Sequence, residues 1–166
     1  RDALVASIHL DTFHHHAKRV FMANLAQAVN VLQAPILTQG EKMVLTPTYH
    51  VLEMNKEHME GIALPIMMNP DNPRIHWDQH HFPAISLSAS RKDNRFLLSV
   101  TNLDPDRAHP FSIDLRGGRA QHIQGRILTG PKLNSHNSFE QPHEVEPQSF
   151  TDFSYSGGTL QCTLPA

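Results

Sequence analysis

The sequence predicts a chain of two textures, an α/β segment followed by an all-β antiparallel sandwich. Three observations carry that class. Apolar residues over 1–59 recur at helical spacing. Those after about residue 62 alternate with a period of two. Turn signals rich in Gly, Asn, Asp and Pro separate the alternating runs.

The elements follow in order. Leu4, Val5, Ile8 and Phe13 sit at helical spacing and predict a helix over roughly 2–16. Residues 20–37, rich in Val, Leu and Ala, predict a buried, strand-like stretch. Thr46 and Pro47 signal a helix start, a threonine cap followed by proline at the first helical position. In that helix Val51, Leu52, Met54 and Met59 oppose Glu53, Lys56, Glu57 and Glu60, an amphipathic surface pattern of about three turns that Gly61 ends. The segment 66–82, with "IHWDQHHF" among prolines, reads as a linker or irregular crossing. Strands then follow at 85–90, 96–101, 111–115, 121–129 and 159–164, and the polar link "RKDN" between the first two reads as a hairpin turn. Short strands with turns between them argue for a sandwich. The shift near residue 62 marks a domain boundary, with 1–61 and 62–166 on its two sides. A helix, a strand-like run and a second helix leave much apolar surface uncovered, as the end of a larger α/β unit does.

Composition narrows the function. The formal net charge of −2 leaves no basic surplus to neutralise phosphates, which argues against nucleic acid as a partner. No apolar run approaches the roughly 20 residues that span a bilayer, so no membrane partner is expected. Cys162 is the only cysteine, so neither an internal disulfide framework nor a cysteine zinc site is expected. With no visible signal peptide, that fits a reducing, cytoplasmic compartment. The 13 histidines imply a surface whose charge changes steeply around pH 6–7.

Two long motifs, in order, carry a resemblance. "FHHHAKRVFMANLAQAVNVLQAPILT" followed by "KMVLTPTYHVLEM", and later "GRILTGPKLNSHNSFEQPHEVEP" with its Asn-x-His-Asn-x-Phe run, resemble glycoside hydrolase family 51, the α-L-arabinofuranosidases. The resemblance implies that residues 1–61 are the last helix–strand–helix of a (β/α)₈ TIM barrel and that 62–166 form most of a jelly-roll-type β-sandwich. It implies a retaining enzyme that releases terminal non-reducing α-L-arabinofuranosyl residues from arabinoxylan, arabinan and arabino-oligosaccharides, without a cofactor, using two glutamates. In the family one glutamate follows Asn and the other follows Asp. Neither dipeptide occurs in this sequence. Both glutamates are therefore expected upstream of Arg1, and residues 1–166 are expected to be a segment cut at both ends and inactive alone. The implied partners are an arabinose-containing glycan, the remainder of the barrel, and further copies in a hexamer.

In a barrel, ligand-facing groups lie at strand C-termini and in the loops that follow. With residues 20–26 as the eighth strand, Gln27 to Gln33 lie at the mouth. By resemblance Gln33 matches the glutamine that binds the arabinofuranose ring. A neutral amide donates and accepts at once and leaves carboxylate pKa values undisturbed. Asn24, Gln27 and Asn30 are assigned instead to pinning the loop. His14, His15 and His16 are consecutive on a helix, about 100° apart, and cannot converge on a metal. His76, His80 and His81 lack further ligands, so no metal is expected. Glu53, Glu57 and Glu60 read as a solvated helix face. Trp77 with Phe82 reads as an apolar plug between the two parts in preference to a sugar platform. The run 134–140 reads as a loop bonded to itself. The competing reading is a non-catalytic carbohydrate-binding or oligomerisation sandwich. It lacks support from aromatics, since residues 84–166 hold no tryptophan and one tyrosine, Tyr155.

Overall fold

The computed structural model describes residues 1–166, apart from the side chain of Trp77. Helix α1 spans Asp2–His15, close to its expected bounds. The face it buries is not the apolar one. Ser7 and Asp11 are its buried residues, whereas Val5 and Ile8 are exposed. A polar stripe at i, i+4 and i+7 (Ser7, Asp11, His14) lies against a sheet, as the bonds described below require.

The expected buried stretch at 20–37 needs correction. Residues 21–30 are exposed, and 20–26 form no strand. Phe21 is 100 % and Leu32 92 % exposed, with Met22, Leu25 and Val29 also open to solvent. A β-strand needs a neighbour to take its backbone N–H and C=O groups; here only Val29 bridges, in parallel, to Ile36. Burial begins at Ala34 and Pro35. The end of this run is an unforeseen hairpin, β1 (Ile36–Gln39) with β2 (Lys42–Leu45). Gly40 turns it at φ +57°, a left-handed conformation that glycine enters without strain.

Helix α2 (Pro47–Asn55) starts as the sequence indicates, with Pro47 in its first turn, and continues as a 3₁₀ turn at Lys56–His58. Thr46 stands at the cap position, yet its hydroxyl donates to the Ala34 carbonyl at 2.9 Å instead of capping the helix. Val51 is buried, whereas Met59 is exposed.

The strands that follow are β3 (Ile62–Ala63), β4 (Arg74–Trp77), β5 (His80–Pro83), β6 (Ile85–Lys92), β7 (Arg95–Asn102), β8 (His109–Asp114), β9 (Gly125–Ile127), β10 (Gln148–Phe150), β11 (Phe153–Ser156) and β12 (Thr159–Leu164). Every ladder among them is antiparallel. Two three-stranded sheets, ordered β3-β6-β7 and β11-β12-β8, carry the body, and β1-β2, β4-β5 and β9-β10 stand as separate pairs. The 66–82 segment is thus a hairpin in part, not a linker, and the 121–129 strand shrinks to three residues.

The apolar faces of the two three-stranded sheets meet in one cluster. Ile85 and Leu87 of β6 join Phe111 of β8, with Leu98 and Val100 of β7 and Cys162 and Leu164 of β12 packed around them. This is the sandwich arrangement: inward residues of both sheets interdigitate. Asn137, 2 % exposed, fastens the 134–145 loop. Its amide donates to the Leu45 and Val145 carbonyls at 2.8 and 2.9 Å and accepts from the Val145 N–H at 2.7 Å. Ser135 and Ser138 accept from Lys132 and Gln141 N–H groups, so the loop is bonded to itself as the sequence suggests.

The chain exposes 12168 Å² of accessible surface. A folded monomer of 18.7 kDa exposes about 8,300 Å². Part of the excess is the open apolar wall at 21–32.

Candidate functional site

The amide-rich loop expected at the mouth can be built residue by residue. Its neck is closed by backbone bonds from Asn30 N–H to the Ile36 carbonyl (3.1 Å) and from Ile36 N–H to the Ala28 carbonyl (3.2 Å). A bond from Ala34 N–H to the Val31 carbonyl, 3.0 Å, folds the tip. Asn30 and Gln33 both sit at positive φ, +54° and +62°. Asn enters that region readily because its short amide bonds locally; Gln does so rarely. The Asn30 amide donates to Thr38 Oγ1 at 2.8 Å and accepts from Thr38 N–H at 2.7 Å, the pinning role expected of it. Gln33 stands at the exposed tip beside Leu32, and Asn24 and Gln27 are exposed on the wall.

A second polar cluster, unforeseen in the sequence, lies between α1, the 3₁₀ turn and the β6-β7 face. Asp11, 1 % exposed, accepts from Ser86 Oγ at 2.5 Å and Ser88 Oγ at 2.6 Å. The Ser88 hydroxyl donates to Asp11, so its oxygen accepts from His14 Nδ1–H at 2.9 Å. Ser99 gives its proton to Asn55 Oδ1 at 3.2 Å and so accepts from His58 Nε2–H at 2.9 Å. His58 Nδ1 then accepts from Ser90 at 2.8 Å, which makes it a neutral imidazole. Ser7 meets Thr101 at 2.6 Å, and His15 donates to the Leu87 carbonyl at 2.8 Å. The His14 and His58 rings are 4.7 Å apart. Burial lowers the His58 pKa to about 4, helped by the neighbouring His14 and opposed by Asp11. Burial also lowers that of His14, against the pull of Asp11.

This cluster contains Ser, His and Asp, but its proton order is wrong for nucleophilic catalysis. A nucleophilic serine must hand its proton to the imidazole. Here the serine hydroxyl hydrogen-bonds to the carboxylate and the imidazole points an N–H at the serine oxygen. The cluster is a seam that joins helix to sheet. The signal for it was present: serines at 86, 88 and 90 on one strand face, and polar residues at 7, 11 and 14 on one helix face. The alternation along β6 separates two partners, the sandwich core and α1, not core and solvent.

The other candidates resolve singly. Glu53 pairs with Lys56 (3.1 Å) and Arg126 (2.9 Å), Glu57 with Arg95 (3.6 Å), and Glu60 with Lys92 (3.2 Å). Burial alone would raise the Glu53 carboxyl; the two cations outweigh it and hold it below its usual range. These carboxylates face separate cations and not one another. His76 lies opposite His81 across the β4-β5 hairpin, ring centroids 4.5 Å apart, and His80 is opposite Trp77. Phe82 stacks on His80 at 6.0 Å; the role considered for the Trp77 side chain lies outside the described residues. Among the described residues, no three His, Cys, Asp or Glu side chains are grouped to hold a metal ion, and no helix is long and apolar enough to cross a membrane. His50 Nε2 is buried without a partner, and burial lowers the pKa of that ring.

Comparison with known proteins adds the context this geometry lacks. Residues 1–166 match the family model "Alpha-L-arabinofuranosidase C-terminal domain". The chain is 43 % identical, along 100 % of its length, to 32 % of an intracellular exo-alpha-L-arabinofuranosidase of Bacteroides ovatus. It is 30 % identical, over 99 % of its length, to 31 % of an intracellular exo-alpha-(1->5)-L-arabinofuranosidase of Bifidobacterium longum. The chain thus spans about a third of the length of these relatives. Among solved structures, 99 % of it superposes on 33 % of the GH51 arabinofuranosidase from Xanthomonas axonopodis pv. citri, with 40 % identity and a TM-score of 0.93.

Proposed function

The chain belongs to the α-L-arabinofuranosidase C-terminal domain family, and from that premise we propose that it is the C-terminal part of a retaining exo-acting α-L-arabinofuranosidase. The substrates are terminal non-reducing α-L-arabinofuranosyl residues of arabinoxylan, arabinan and their oligosaccharides. Two glutamates outside residues 1–166 perform the chemistry. One protonates the leaving oxygen, and the other forms a glycosyl-enzyme that water hydrolyses. No metal or organic cofactor takes part. Residues 1–61 close a (β/α)₈ barrel and 62–166 form the jelly-roll-like sandwich that braces it. The working enzyme is a cytoplasmic homo-oligomer, a hexamer by family.

The observation that carries the proposal is the open wall. Phe21, Met22, Leu25, Val29 and Leu32 face solvent in a chain whose relatives are about three times longer. A contiguous exposed apolar surface of this kind marks an interface. Its occupant here is the rest of the barrel, against which residues 20–26, strandless in this chain by itself, lie. Gln27 to Gln33 then lie at the barrel mouth, where Gln33 takes a hydroxyl of the arabinofuranose ring by donating and accepting from one planar group.

The test is hydrolysis of an aryl α-L-arabinofuranoside by the full-length protein and by residues 1–166 alone. The full-length protein cleaves it and the isolated chain does not. Cleavage by a pure, folded sample of the isolated chain overturns the assignment of the glutamates. For the site, Q33A and Q33G in the full-length protein both lower kcat/KM, the glycine keeping the turn and losing only the amide. Q27A is the comparison: a loss confined to Q27A moves the sugar contact to the base of the loop and refutes the role of Gln33.

A further inference from the structure

The exposed tip that carries Gln33 is held at two legs, and the two are built differently. On the far leg, Thr46 donates twice: its N–H to the Pro35 carbonyl and its hydroxyl to the Ala34 carbonyl, both at 2.9 Å. This roots residues 34 and 35, which are buried, at the start of α2. On the near leg a single side chain does the work. The Asn30 amide grips Thr38 twice, through the Thr38 backbone N–H at 2.7 Å and the Thr38 hydroxyl at 2.8 Å, while the Asn30 N–H bonds to Ile36. A short planar group with two polar atoms can make both bonds at once, and in Asn30 one atom accepts while the other donates. Asn is also the residue that best tolerates the φ of +54° this position adopts. Without the grip, the strand that leaves the wall and the strand that enters β1 are joined near their tip by backbone bonds alone, in a segment open to water.

We propose that Asn30 is a positioning residue of the enzyme: its pair of hydrogen bonds to Thr38 fixes the register of the 27–33 loop and thereby aims the mouth amide at the sugar. The proposal rests on the reading of that loop as the barrel mouth. Asn30 need not touch the substrate. It converts a flexible exposed loop into a preset one, so the sugar does not have to order it on binding.

The experiment measures steady-state hydrolysis of an aryl α-L-arabinofuranoside by the full-length enzyme, per active site, with melting temperature recorded in parallel. N30A lowers kcat/KM about tenfold, mainly through KM. N30D restores it to within about threefold of wild type, because an Asp oxygen still accepts from Thr38 N–H and the Thr38 hydroxyl can turn to donate. T38V, which retains the backbone bond, falls between. Combined with whichever of Q33A or Q27A itself loses activity, N30A causes no further loss, because the amide it aims is already gone. A purely structural role gives a lower melting temperature with KM unchanged, and that result overturns the proposal, as does full additivity in the double variant. Unchanged kcat/KM in both Q33A and Q27A refutes the mouth reading itself, and that failure is separate from an inert N30A, which refutes the clasp alone.

Discussion

Acid should loosen the seam between α1 and the β6-β7 face, and His58 sets the window. In the folded chain both ring nitrogens of His58 are committed to a neutral state, Nδ1 accepting from Ser90 and Nε2–H donating to Ser99. A second proton on Nδ1 would face the Ser90 hydroxyl hydrogen and charge a ring whose centroid is 4.7 Å from that of His14. Asp11 on α1 is the carboxylate of the cluster and His15 the remaining titratable neighbour, bonded to the Leu87 carbonyl. The folded pKa of His58 is lowered from 6.5 to about 4 by burial first and His14 second. An opened histidine binds its proton near pH 6.5. A lowered pKa means that the open state binds more protons as pH falls. Stability is therefore complete above pH 6.5, declines between 6.5 and about 4, and levels off below. The full difference corresponds to about 3 kcal/mol, or up to about 300-fold in the opening equilibrium. Amide hydrogen exchange of α1 and of residues 56–58 in the full-length protein reads that equilibrium locally, after correction for the intrinsic pH dependence of exchange. Wild-type protection falls steeply from pH 6.5 to 4, and H58Q, which cannot be protonated, flattens the fall. If both proteins lose protection in parallel across that window, His58 does not carry the response.

Two further substitutions follow from the same bookkeeping of buried polar groups. D11A leaves the Ser86 and Ser88 hydroxyls without their acceptor in a buried seam, and should cost about 2–3 kcal/mol, read as a lower melting temperature. N137A removes a donor and an acceptor that together satisfy Leu45 and Val145. Limited proteolysis should then cut the 131–144 region at least about tenfold faster while leaving β6 and β7 intact.

What the sequence made legible was where one residue pattern had one partner. The β6-β7 hairpin was readable because Ile85, Leu87, Leu98 and Val100 alternate and an Asp-Asn turn joins them. The β8 and β12 strands were readable for the same reason. The small pairs were not. Residues 36–45 hold a hairpin of two short apolar ends about a polar turn at Gly40, and 74–83 hide one among histidines. In both cases backbone pairing, not side-chain pattern, sets the structure. The burial of 20–37 was misread because hydrophobicity reports that a surface seeks a partner, not that the partner is in the same chain. The same confusion hid the orientation of α1, whose apolar residues Val5 and Ile8 stay exposed while Ser7 and Asp11 are buried. The role proposed for Gln33 comes from the family resemblance and from no residue pattern. The grip of Asn30 on Thr38 depends on two positive φ values and a tight neck, which no residue spacing announces.

Hydrogen exchange across residues 20–33, compared between the full-length protein and residues 1–166 alone, tests most directly whether the apolar wall belongs to a larger barrel. The wall should exchange at nearly unstructured rates in the isolated chain and become strongly protected in the full-length protein, while the β6-β7 hairpin is alike in both. Equal, fast exchange of the wall in both proteins would mean that nothing closes over Phe21, Leu25 and Leu32, and the barrel reading would fail.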